Sequence, residues 1–323
     1  MCNKSQMRKF IRIFIGVVII IASLGVYFYP DMREWQTQRE VNQIMAQFEN
    51  DFKADDTAQS EKTDEDTSNS TANSEIRNFV ELHQEMEAYN QRLVTDGQHI
   101  TDAWSYEQPP LKLTNMPNKD YTIGYIEIPD MKVKLPLLLG ASKDNLAKGA
   151  AVLSETSMPI GGTDTNCVIG AHRGWRGSAY FQRIENLKEG SKVYVTNPWE
   201  TMVYKVVSTK VVEPDDSNAI LLQPGKDMVT LVTCHPYVVG GGKYRYIVYC
   251  EREGTEDRAE ATQMENPSID DTDTDSVQLS SEEVNDSENL LKWEAYLRKY
   301  LPLVTAGLAL LIIVIRRPKK EKS

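Results

Sequence analysis

Between residues 121 and 251, short runs rich in β-branched and aromatic residues alternate with turns. That alternation constrains the fold more than any other feature, because it is the pattern of an all-β barrel. Strands are predicted at 121–128, 132–139, 167–172, 192–196, 202–212, 229–234 and 245–251. Upstream the pattern changes period. From residue 75 to 97, Ile76, Phe79, Val80, Leu82, Met86, Tyr89 and Leu93 recur at three- and four-residue spacing, which predicts one amphipathic helix packed on the barrel.

Val229-Thr230-Leu231-Val232-Thr233-Cys234-His235-Pro236-Tyr237 is an apolar strand that ends on a cysteine and breaks into a Pro- and Gly-containing loop. A cysteine at a strand end sits where backbone pairing stops and a substrate can enter, whereas a structural cysteine more often lies mid-strand. A thiol nucleophile needs a basic or cationic partner, because the thiolate is the attacking form. The chain has four histidines. His235 follows Cys234 directly and so points to the opposite face of an extended strand. His83 and His99 precede the sheet. His172 ends another apolar run, Asn166-Cys167-Val168-Ile169-Gly170-Ala171-His172, before Arg173-Gly174. Two strands that end on Cys and His, far apart in sequence, fit a site assembled across a sheet. If the strand at 229–234 and the one opening Tyr244-Arg245-Tyr246 form a hairpin, Arg245 lies near Cys234 and could donate to a developing oxyanion. Taken singly, each residue also fits a plain role: a packed thiol, a surface histidine, a solvated edge arginine.

The flanks set the organisation. An apolar run from Ile11 to Tyr29 follows Lys4, Arg8, Lys9 and Arg12 and is long enough to cross a bilayer. No small-x-small cleavage site follows, so an uncleaved signal anchor is expected. A second apolar run, Leu301 to Ile315, is followed by Arg316, Arg317, Lys319, Lys320 and Lys322. It is short, but Tyr296 and Tyr300 can extend it at the interface. Basic residues at both outer flanks imply cytoplasmic termini with everything between them on the far side. Residues 55–74 and 255–286 are rich in Asp, Glu, Ser and Thr and read as tethers. The net charge of −11 is concentrated there, which argues against a nucleic-acid partner. Of four cysteines, Cys2 precedes the first span, and Cys167 and Cys250 lie in apolar strands as small hydrophobes rather than a bridge. No Cys/His pair has ligand spacing on one element, so no metal is expected.

Thr230-Leu231-Val232-Thr233-Cys234 resembles the TLxTC signature of sortases, Gly170-Ala171-His172-Arg173-Gly174 their histidine motif, and Tyr244-Arg245-Tyr246 the segment carrying their arginine. Gly124-Tyr125-Ile126-Glu127-Ile128-Pro129, Ser157-Met158-Pro159-Ile160-Gly161-Gly162 and Val212-Glu213-Pro214-Asp215-Asp216 agree as well. The resemblance covers roughly residues 89–253. It implies a closed β-barrel of about eight strands and a cysteine transpeptidase that cleaves an LPxTG-like sorting signal between Thr and Gly. It also implies catalytic roles for Cys234, His172 and Arg245, with no cofactor.

Two spans resemble the class C sortases that polymerise pilins. That class carries a lid written Asp-Pro-aromatic, and the matching place here is Asp102-Ala103-Trp104, with Ala where Pro is usual. Losing the proline frees backbone conformations, so a looser lid is expected. The expected organisation is a basic cytoplasmic tail (1–12), a transmembrane anchor (13–30), an extracellular acidic linker (31–74), a helix and lid region (75–120), the catalytic barrel (121–253), an acidic disordered linker (254–288), a C-terminal membrane segment (289–316) and a basic cytoplasmic tail (317–323). Expected partners are pilins or surface proteins bearing LPxTG-like signals, the membrane, and possible cell-wall precursors. The alternatives are a sortase that anchors surface proteins to peptidoglycan precursor and a non-catalytic surface assembly scaffold.

Overall fold

The structure, a computed structural model, describes residues 4–59, 69–100, 113–114, 116, 122–174, 178–237, 242–256, 300–301, 304–305 and 307. The chain divides into two compact units, residues 1–36 with 278–323 and residues 37–277. The first unit holds the start of helix α1 (Lys4–Gln59). Its Phe10, Ile13, Phe14, Ile21 and Phe28 are each more than half exposed, an apolar surface that water would not favour. By length and composition the helical segment Ile13–Asn50 contains a stretch able to cross a membrane. Of the expected second span, only Tyr300, Leu301, Val304, Thr305 and Gly307 are described, all of them helical. Asp102 and Trp104, the expected lid residues, lie outside the described residues.

In the second unit the chain is still helical at residues 37–59, inside the stretch whose composition reads as a linker. Composition misses the spacing. Thr37, Val41, Met45 and Phe48 recur at helical intervals, and Val41 and Phe48 are fully buried. The Phe48 ring meets Tyr125 edge to face, with centroids 6.3 Å apart. The amphipathic helix expected over 75–97 is α2 (Asn69–Asp96), closed by Gly97 at a φ of 85°, the left-handed geometry that favours glycine past a helix end. Leu82, Met86 and Leu93 are buried, whereas Val80 is 53% exposed and lies outside the stripe. Polar contacts pin the helix to the loop after β3. Asn90 Oδ1 accepts from the Met158 amide at 2.7 Å, and the Tyr89 hydroxyl accepts from the Glu155 amide at 3.0 Å.

Eight strands close into a barrel: β1 (Thr122–Ile128), β2 (Val133–Leu139), β3 (Ala150–Val152), β4 (Thr165–Gly170), β5 (Lys192–Thr196), β6 (Thr201–Val212), β7 (Asp227–His235) and β8 (Tyr244–Glu256). Their order around the barrel is β1-β2-β3-β4-β7-β8-β6-β5. A short helix, α3 (Lys143–Lys148), is capped by the Ser142 side chain, which accepts from the Asn145 amide. Side chains alternate across the wall. Cys167, Ile169, Val229, Leu231, Val248 and Cys250 join the main core. Val168, Val232 and Ile247 point the other way and pack with Leu146 and Ile220. That second face of β4, β7 and β8 carries the site.

Candidate functional site

The antiparallel β7–β8 ladder pairs Cys234 directly with Arg245. Both share the parity of Val232 and Ile247, so they lie on the outer face of the barrel wall. The hairpin expected from the sequence thus makes Cys234 and Arg245 direct cross-strand partners. Cys234 is half-buried with a free thiol. Arg245 Nη1 donates to the carbonyls of Gly242 (3.3 Å) and Tyr244 (3.0 Å), which holds the side chain at the hairpin mouth.

His172 arrives by a different route. β4 and β7 run parallel, with Gly170 opposite Val232 at the end of β4. Continued for two more residues, that register would set His172 alongside Cys234. Hydrogen bonds continue the pairing past the strand end. The Ala171 amide donates to the Val232 carbonyl at 3.2 Å, and Thr233 Oγ1 donates to the Ala171 carbonyl at 2.8 Å. The His172 carbonyl accepts from the Phe181 amide at 3.0 Å. The predicted strand over 167–172 therefore ends at Gly170 and leaves His172 on an anchored loop. Burial pushes the His172 imidazole below its ordinary range by disfavouring the charged form.

Beneath the outer face lies a second set of residues that sequence reasoning met only in part. His235 points away from Cys234, as strand alternation predicts, and its side chain is 2% exposed. Arg173 is likewise buried. Its Nη2 lies 2.6 Å from Glu185 Oε1, and its Nη1 lies 3.2 Å from the Cys234 carbonyl and 3.0 Å from His235 Nδ1. Glu185 Oε1 is 3.1 Å from the same His235 nitrogen. Burial opposes ionisation of Glu185, but the nearby His235 and Arg173 outweigh it and hold the carboxyl below its usual range. No periodic pattern marks Glu185, which sits on a single 3-10 turn, Ile184–Asn186.

Cys167 and Cys250 are free and fully buried. They flank Val229 on either side of β7, Cys167 through the β4 ladder and Cys250 through the β8 ladder. With a whole strand between them they cannot bridge, and burial pushes both thiols well above their ordinary value. Among the described residues, no group of three or more His, Cys, Asp or Glu side chains is arranged to hold a metal.

Comparison with known proteins bears on the barrel as a whole. The family described as the sortase domain matches residues 126–253. Sortase D of Bacillus subtilis (strain 168) is 31% identical over 151 residues, which is 46% of this chain and 72% of that protein. Among solved structures, sortase C-1 of Streptococcus pneumoniae is 31% identical with a TM-score of 0.52, covering 66% of this chain and 98% of that one. A Streptococcus pneumoniae sortase C structure described in terms of catalysis and pilin substrate specificity is 27% identical, with a TM-score of 0.50 and the same coverage.

Proposed function

Because this chain belongs to the sortase family of cysteine transpeptidases, we propose that Cys234, His172 and Arg245 are its catalytic residues and that it joins pilin subunits at the cell surface. The observation that carries the site assignment is the Cys234–Arg245 register pair, supported by the end of the β4–β7 ladder at Gly170 and Val232, two residues before His172 and Cys234. The Cys234 thiolate attacks the carbonyl carbon of the threonine in an LPxTG-like sorting signal. The thiol proton passes to His172 on attack, a C–S bond forms as the Thr–Gly C–N bond breaks, and His172 gives that proton to the leaving amine. Arg245 donates to the oxyanion of the tetrahedral intermediate. A lysine amine of the next pilin then attacks the thioester, and the new C–N bond expels the thiolate while His172 takes up the amine proton. This chemistry calls for no metal or organic cofactor.

The pilin assignment is supported by the likeness to Streptococcus pneumoniae sortase C-1 and by the second apolar run near the C-terminus. In this reading α1 and that run both span the membrane, the termini are cytoplasmic, the barrel is extracellular, and Asp102 and Trp104 form a lid over Cys234. The test incubates the full-length enzyme in detergent with its candidate pilin and an LPxTG-type peptide, and reads the new bond by mass spectrometry. A ladder joined through a pilin lysine is expected. A thioacyl adduct on Cys234 that only small wall-precursor amines resolve would replace this reading with an anchoring enzyme. Transpeptidation retained by Cys234→Ala would sink the site assignment itself.

A further inference from the structure

We propose that Glu185, acting through Arg173 and His235, is a positioning residue for the Cys234/His172 pair, bracing both strand ends from the inner side of the barrel wall. The proposal rests on the assignment of Cys234 and His172 above and extends it to three residues that touch no substrate.

The argument begins with where the three residues fall. Arg173 is the residue after His172, and His235 is the residue after Cys234. Neighbouring residues in a strand point to opposite faces, which turns His235 to the inner side, and Arg173, in the loop past β4, meets it there. Glu185 joins that inner pair. One carboxylate oxygen reaches Arg173 Nη2 at 2.6 Å and His235 Nδ1 at 3.1 Å. The Arg173 fork then divides its work, with one nitrogen on Glu185 and the other on the Cys234 carbonyl. A planar guanidinium can make both contacts at once, and a lysine ammonium at the same place could not span them.

A second observation concerns the length of the β4–β7 ladder. The ladder proper ends at Gly170 and Val232, and one further backbone bond, from the Ala171 amide to the Val232 carbonyl, still stops short of His172 and Cys234. The side-chain contacts of Thr233 and Arg173 carry the pairing on to Cys234. His172 therefore lies between two residues, Ala171 and Arg173, that are each tied to β7. Burying the charged Arg173 side chain, 3% exposed, is unfavourable unless it is paired and hydrogen-bonded. Glu185 supplies the pairing, and the hydrogen bond to Cys234 gives the buried charge a function. Tyr246, its ring centroid 5.7 Å from that of His235, closes the remaining side of the cluster.

The test uses the full-length enzyme in detergent and reads the pH profile of iodoacetamide alkylation at Cys234, a measurement that needs no substrate. His172→Ala sets the reference, since removing the imidazole displaces the profile of a thiol it partners. Glu185→Gln keeps the size of the side chain and removes its charge; Arg173→Lys keeps the charge and removes the fork. Both variants should displace the alkylation profile in the same direction as His172→Ala and lower kcat for acylation by an LPxTG-type peptide about tenfold to hundredfold with KM nearly unchanged, as a loss of alignment does. A role in stability alone would lower the melting temperature of the folded variants and leave both the profile and kcat where they were. That result would overturn the proposal. If His172→Ala also left the profile unmoved, the assignment of the pair would fall and the brace with it.

Discussion

Cys234 and Arg245 are direct partners across the β7–β8 ladder, so the separation of their backbones is set by sheet geometry. Arg245 also donates to two carbonyls at the loop end of its own strand. Its guanidinium is therefore held in place before substrate arrives, which is the condition for stabilising an oxyanion without reorganisation.

Arg245→Ala should accordingly lower kcat for acyl-enzyme formation by about 10²–10³, the usual effect of removing one oxyanion donor. Arg245→Lys should recover only part of that loss, because an ammonium cannot hold the loop carbonyls and the substrate oxygen in one plane. Single-turnover acylation followed by intact mass spectrometry measures both. Equal kcat in wild type and Arg245→Ala would remove the arginine from the chemistry.

Two separate pH windows should appear in the stability of the enzyme. His172 has its folded value depressed below the ordinary 6.5, so below that pH the unfolded chain takes up a proton that the folded one refuses. Stability then declines as pH falls from about 6.5 towards the folded value. Glu185 has its folded value depressed below 4.5. Its contribution is present above 4.5 and disappears as pH falls through the folded value. In urea unfolding across pH, His172→Gln should flatten the upper window alone, and Glu185→Gln the lower one alone.

Gly242 lies against the backbone of His235. A Cβ there would come within 2.2 Å of the His235 carbonyl carbon and oxygen, which is closer than backbone atoms tolerate. Gly242→Ala should therefore push the hairpin mouth open, at a cost of about 1–3 kcal/mol, and carry Arg245 with it through the Gly242 carbonyl. Activity should fall further than stability. Thermal melting beside single-turnover kinetics distinguishes this from general unfolding.

Thiol labelling should discriminate sharply within the barrel. Iodoacetamide applied to the native protein should modify Cys234 and spare Cys167 and Cys250, whose burial disfavours the thiolate. All three should react in denaturant. Peptide mapping reads the pattern, and labelling of Cys250 at a rate near that of Cys234 would contradict the buried placement.

Much of this arrangement was legible in the primary structure because strand alternation and ladder register are short-range rules. The hairpin that pairs Cys234 with Arg245 follows from two apolar runs and a glycine-rich connection, and the inward turn of His235 follows from its being next to Cys234. Other features obey no local rule. β3 has three residues, Ala150–Val152, too few for a period to register. The buried stripe through Val41 and Phe48 sits in a polar stretch whose average composition hides it. Val80 fits the helical spacing but points outward, since the width of a buried stripe depends on the surface that covers it. Glu185 joins the site only through tertiary contacts from a loop turn.

The parallel β4–β7 contact has a further consequence for how the site is assembled. The two strands are separated in the chain by all of β5 and β6, so nothing local can hold His172 beside Cys234 until the barrel has closed. The residues proposed to act together therefore meet only in the closed barrel, and any opening between β4 and β7 separates them.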